Sequence, residues 1–119
     1  MPHLIIEISD QTLFSEPDNL LLALNKTLLL SQEFEAHDIK SRLYIADNSL
    51  VGIDKNSHAF ISITLKIMPG RSPVIKQQLI DGLITTTNQL LDKSHPQTIE
   101  ITVEVIELNR PEYRKFMVN

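Results

Sequence analysis

Leu4, Ile6 and Ile8 alternate with Ile5, Glu7 and Ser9, a period of two that predicts a β-strand starting almost at the first residue. Downstream, Ser15-Glu16-Pro17-Asp18 combines a Ser, an acidic residue three positions on and a Pro in the first turn, which together mark a helix start. A helix is expected from about Pro17 to Ser31, with Leu20, Leu24 and Leu28 on one stripe. Ile39 to Ile45 then reads as a second strand. Lys40, Arg42 and Tyr44 share one side of it, and Ser41, Leu43 and Ile45 share the other. Asp47 to Asn56, with Gly52, reads as a loop.

The clearest strand follows, with Ala59, Ile61, Ile63, Leu65 and Ile67 alternating with Phe60, Ser62, Thr64 and Lys66. Pro69-Gly70-Arg71-Ser72-Pro73 ends it. Ser72 is placed to cap a helix whose first residue is Pro73, and that helix is expected to reach about Asp92. Leu79, Leu83 and Leu90, flanked by Ile80, Ile84 and Leu91, give it a wide apolar stripe. Ile99, Ile101, Val103 and Val105 alternate with Thr98, Glu100, Thr102 and Glu104 as a fourth strand.

Strand, helix and strand thus occur twice, with about 55 residues between corresponding strands. The expected fold is α+β: two fused βαβ units, spanning 2–46 and 58–108, in a single domain over 1–119. Right-handed crossovers would set both helices on one face of a four-stranded sheet. The other face, mixing Glu, Thr, Lys and Arg with Phe60 and Tyr44, is left for solvent or a partner subunit.

Composition narrows the chemistry. The 119 residues include no cysteine, which excludes thiol catalysis, disulfides and zinc sites built on Cys. A formal charge of −4, without a long basic run, argues against nucleic-acid binding, because phosphate neutralisation needs concentrated cations. No stretch approaches a membrane span and the start lacks the features of a secretory signal, so a cytoplasmic location is expected. His3, His37, His58 and His95 form no metal-ligand spacing, so no metal is expected. Ser72 has no His base placed with it and is read as a cap rather than a nucleophile.

Met1-Pro2-His3-Leu4-Ile5-Ile6-Glu7, together with Phe60 through Gln78 including Thr64-Leu65-Lys66-Ile67 and Gly70-Arg71-Ser72, resembles the 5-carboxymethyl-2-hydroxymuconate isomerase family of the tautomerase superfamily, which also contains 4-oxalocrotonate tautomerase. The resemblance covers nearly the whole chain. It implies a homotrimer and an isomerase without cofactor, shifting a double bond in a hydroxymuconate-type di- or tricarboxylate during degradation of aromatic acids. It also implies that the catalytic group is an N-terminal proline, here Pro2, once Met1 is removed. A free prolyl nitrogen is a secondary amine, and nearby cations and partial burial would lower its pKa toward the operating pH. On the residues alone Pro2 has a second reading, the opening residue of an edge strand.

For substrate binding the resemblance points to Arg71, just before a helix start whose free N–H groups add to its pull on a carboxylate. Arg42 and Lys40 are further candidates. The family pattern there is Ile-Arg-Ser-Arg, whereas this chain reads Ile39-Lys40-Ser41-Arg42, and Lys keeps the charge but loses the bidentate fork. His3 points to the strand face opposite Pro2 and is read as structural or as a subunit contact. The segment Glu107 to Asn119, with Pro111, Tyr113 and Phe116, is expected to reach toward a neighbouring subunit, as such tails do in the family. The alternative functions are a proline-based tautomerase acting on another 2-oxo acid, and a non-catalytic trimeric binding or structural protein that kept the fold.

Overall fold

The computed structural model describes all 119 residues. Strand β1 spans His3–Ile8, helix α1 Leu20–Leu30, β2 Lys40–Ile45, β3 His58–Ile67, α2 Pro73–Leu90 and β4 Thr98–Glu107. The four strands form one sheet in the order β2-β1-β3-β4. Within each half the two strands are parallel and adjacent, β1 with β2 and β3 with β4, joined through a helix; the halves meet where β1 runs antiparallel to β3. This is the doubled βαβ arrangement expected from the repeated pattern.

Alternation along the strands sorts the two faces. Leu4, Ile6 and Ile8 of β1 and Ala59, Ile61, Ile63, Leu65 and Ile67 of β3 are buried on the side packed by the helices. Both helices contribute to that same core, α1 through Leu20, Leu24 and Leu28 and α2 through Leu79 and Leu83. Burying a side chain of this kind contributes about 1.5–3 kcal/mol, so the register of the two central strands is firmly set by burial. The register pairs His3 with Lys66, Ile5 with Thr64 and Glu7 with Ser62, which puts these residues on the open face.

The second helix starts as its sequence dictates. The Ser72 side chain accepts from the Ile75 amide, and Pro73 occupies the first turn where its missing N–H costs nothing. Its buried stripe ends at Thr87 rather than Leu90. Thr87 is fully buried because its hydroxyl donates back to the Leu83 carbonyl at 2.7 Å, so no polar atom is left bare. Gly82 lets the helices approach: a Cβ there would lie 3.2 Å from the Thr27 methyl carbon.

The first helix departs from expectation at its start. Pro17–Asn19 forms a 3-10 turn, capped by Glu16 without a side-chain hydrogen bond, and the α-helix begins at Leu20. Ser15 does not cap it. Asn19 donates instead to the Glu16 carboxylate, which satisfies a local acceptor and tightens the turn. At the other end Gln32 adopts φ 65, the left-handed geometry that ends a helix, although it is not glycine. No helix is long and apolar enough to cross a membrane.

Candidate active site at the chain terminus

Parallel pairing with β2 and antiparallel pairing with β3 bring three separate parts of the chain to the first residue of β1. Pro2 is buried, and its carbonyl accepts from the Lys40 amide at 3.0 Å. Beyond the end of β3 the chain turns through Gly70, at φ 122, into Arg71. A φ of that size suits glycine alone, so Gly70 is what allows the turn that leads into Arg71.

The charges around the terminus act on its amine. The Met1 ammonium group has its pKa pushed below the ordinary value of 8.0, chiefly by burial. Asp38 opposes that shift, and Arg71, Lys40 and Lys115 reinforce it. Of the substrate-binding candidates, Arg71 and Lys40 bear on the terminal amine, and the Lys40 backbone also bonds Pro2. Arg42 lies two residues further along β2. Register pairs it with Ile5 on the open face, where its Nη1 donates to His3 Nδ1 at 3.3 Å.

Lys40 is already engaged, donating from Nζ to the Asp38 carbonyl at 3.1 Å and the His37 carbonyl at 3.5 Å. Arg71 is held more firmly. Its Nε donates to a Glu33 carboxylate oxygen at 2.9 Å, its Nη2 to the Glu33 carbonyl at 2.9 Å, and its guanidinium carbon lies 4.6 Å from the centre of the Phe34 ring. Glu33 and Phe34 carry no sequence signal for this role. They follow α1 by a few residues and meet Arg71 only through the fold.

The carboxyl-terminal segment also reaches this end of the sheet. After β4 the Leu108 amide donates to the Ile67 carbonyl at 2.7 Å, and Arg110 Nη2 donates to the Pro69 carbonyl at 3.3 Å. Lys115 pairs with Asp38 at 2.8 Å and Tyr113 meets His3 at 2.8 Å. The tail thus lies across its own protomer as far as Lys115. Phe116, Met117 and Val118 beyond it stay exposed.

His3 is fixed as a neutral ring by these partners. A guanidinium can only donate, so Nδ1 is the bare acceptor and Nε2 carries the proton that it donates to the Tyr113 hydroxyl. Burial, then Arg42, Lys40, Lys66 and the terminal amine, push the His3 pKa below its ordinary 6.5. A pKa lowered on folding means that the stability tied to the neutral ring is complete above pH 6.5 and is lost as pH falls through the folded-state value. The urea midpoint of the parent is expected to drop between pH 7.5 and 5 by more than that of His3→Gln, which keeps a donor and an acceptor without titrating. Equal drops would remove His3 from the acid response.

A groove of about 250 Å³ between α1 and α2, lined by Thr27, Leu28, Ile75 and Leu79 among others, reaches Glu33 but not Pro2. Around the terminus the fold brings together an amine, the Arg71 guanidinium and the Lys40 ammonium, a set of groups that suits proton transfer on an anionic substrate.

A profile describing 5-carboxymethyl-2-hydroxymuconate isomerase matches residues 2–117. The chain belongs to this family. It is 32% identical over 114 residues to the 5-carboxymethyl-2-hydroxymuconate Delta-isomerase of Escherichia coli, covering 92% of this chain and 88% of the relative. The solved 5-carboxymethyl-2-hydroxymuconate isomerase of Deinococcus radiodurans R1 superposes with a TM-score of 0.83 at 28% identity, over 97% of this chain and 88% of that one. A fused 4-OT protein solved as a symmetric trimer gives a TM-score of 0.70 at 16% identity, over 93% and 91% of the two chains, which shows the shared tautomerase fold.

Proposed function

We propose that this chain is a 5-carboxymethyl-2-hydroxymuconate Delta-isomerase that uses the nitrogen of Pro2, freed of Met1, as acid and base, with Arg71 holding a substrate carboxylate. That it is an isomerase follows from the family to which it belongs. The roles of the two residues rest on one observation: at the chain terminus burial disfavours a protonated amine, and Arg71, Lys40 and Lys115 add to it against the opposing charge of Asp38. A prolyl nitrogen one residue further in meets the same surroundings. It would take a proton from the substrate, leave a dienolate stabilised by Arg71, and return the proton at another carbon. No step calls for a cofactor.

Lys40 supplies field rather than a fork, because its donors already face backbone carbonyls. In this reading the two βαβ halves, 2–46 and 58–108, act as one unit. Several copies assemble, as the fused 4-OT relative does in its symmetric trimer. Two features support assembly: the exposed apolar tip Phe116 to Val118, and Arg42 on the open sheet face. Arg42 is accordingly assigned to the site of a neighbouring copy. The compartment proposed is the cytoplasm.

The test compares protein whose intact mass lacks Met1 with protein carrying an uncleaved residue ahead of Pro2, in an ultraviolet assay on 5-carboxymethyl-2-hydroxymuconate. Activity is expected only in the first. Equal rates in both would place the base elsewhere, and no rate above buffer in either would reject this substrate class.

A further inference from the structure

Arg71 is the one candidate whose side chain is gripped from several directions, and the grip leaves only part of it free. A guanidinium has five N–H donors in a plane. Three are committed: Nε to the Glu33 carboxylate, Nη2 to the Glu33 carbonyl, and Nη1 to the Met68 carbonyl at 3.4 Å. Nε and Nη2 share one long side of the plane, and Glu33 occupies both. One hydrogen on each Nη remains for an incoming acceptor.

We propose that Glu33 is a positioning residue that takes the side edge of Arg71, so that a substrate carboxylate is received on the terminal Nη1/Nη2 fork. The inference rests on the reading of Arg71 as a carboxylate site. Several features make the grip rigid. The Glu33 amide donates to the Ser31 hydroxyl oxygen at 3.2 Å, and Gln32 holds the left-handed φ of 65 that swings Glu33 and Phe34 toward Arg71. A non-glycine residue in that region costs free energy, which the surrounding contacts must outweigh. Phe34, only 8% exposed, supplies a fixed plane beneath the guanidinium. The Glu33 and Arg71 side chains are 28% and 21% exposed, so water reaches the pair but does not surround it.

Orientation and charge make opposite contributions. The Glu33 carboxylate orders Arg71 but also weakens the field that an incoming anion meets. Glu33→Gln and Glu33→Ala both delete the charge, whereas only Gln keeps an oxygen to accept from Nε. The difference between the two variants therefore isolates positioning.

The experiment is calorimetric titration of the mature chain with cis,cis-muconate, an unreactive planar dicarboxylate, beside thermal midpoints and kcat and KM for each variant. Glu33→Gln is expected to bind at least as tightly as the parent, and Glu33→Ala to bind about 5- to 10-fold more weakly than Glu33→Gln, the net weight of one ordinary hydrogen bond. In turnover the same contrast should fall on kcat, retained in Gln and reduced in Ala. Glu33→Asp keeps the charge but shortens the reach, and is expected to bind more weakly than the parent; it carries the test if the Ala variant does not fold. Equal affinity of the Gln and Ala variants, or of Asp and parent, overturns the inference. A parent that does not bind muconate overturns both this inference and the carboxylate role of Arg71. A parent that binds muconate as expected but does not isomerise the hydroxymuconate overturns only the proposed function.

Discussion

Replacing Pro2 by alanine is expected to lower kcat by about 10²- to 10⁴-fold, the range that a positioned acid or base contributes. Alanine also ends in an amine once Met1 is removed, so the loss measures what the ring adds. The ring fixes φ and carries the nitrogen as a secondary amine with one direction of approach, whereas a primary amine rotates and is more readily solvated. Because Pro2 is buried and donates no N–H to the ladder, the substitution removes little from the sheet, and the thermal midpoint should stay close to that of the parent. Steady-state ultraviolet kinetics on mass-verified protein decide the matter. Full activity in the alanine variant would remove Pro2 from the chemistry.

Arg71→Ala is the second large effect. The residue would lose both the terminal fork for a carboxylate and the positive charge beside a developing dienolate, and kcat/KM is expected to fall about 10²- to 10³-fold, as for removal of an oxyanion donor. Arg71→Lys restores the charge without the planar fork and should recover part of the loss, mainly in kcat, leaving KM raised. The same substitution breaks the pair with Glu33, so Arg71→Ala leaves a carboxylate at 28% exposure without its cation. Reading the melting curve together with the rates separates that local cost from the catalytic one. If Arg71→Ala has the kcat/KM of the parent, the carboxylate is held elsewhere.

How much of this was legible in the sequence depends on whether the determining contacts were local. β3 and β4 could be read nearly to the residue, because strict alternation of Ile, Leu and Val against polar residues admits one register when one face is buried. The start of α2 was legible for the same reason, since Ser72 and Pro73 act within four residues of each other. The start of α1 was not. Ser15 and Pro17 satisfy the local signature, yet the hydrogen bond from Asn19 to Glu16 closes a 3-10 turn first. The buried place of Thr87 was hidden because its polarity is cancelled by a bond within the helix that composition cannot display.

The site divides in the same way. Pro2 and the Gly70-Arg71-Ser72 turn carried a resemblance specific enough to nominate them. Lys40 and Arg42, two residues apart on one strand face, looked interchangeable from their spacing. The pairing of β2 with β1 sets Lys40 opposite His3, its amide on the Pro2 carbonyl, while Arg42 lies opposite Ile5 and its guanidinium bonds the His3 ring. Glu33, Phe34, Tyr113 and Lys115 stayed invisible because each meets its partner across a long stretch of chain, 38 residues for Glu33 and Arg71 and 110 for His3 and Tyr113.

The clasp of Lys115 on Asp38 beside the terminus has a consequence for the protein's manufacture. The amine leaves the ribosome first, but the cations that act on it come later, Lys40, then Arg71, and finally Lys115, four residues from the end. While translation is under way the leading residues have no strand partners on either side and are open to a trimming peptidase. Once the last residues fold back, Lys115 pairs with Asp38 at the same end of the chain. On the proposed use of Pro2, the interval in which Met1 is best trimmed is therefore that of synthesis, before Lys115 reaches Asp38.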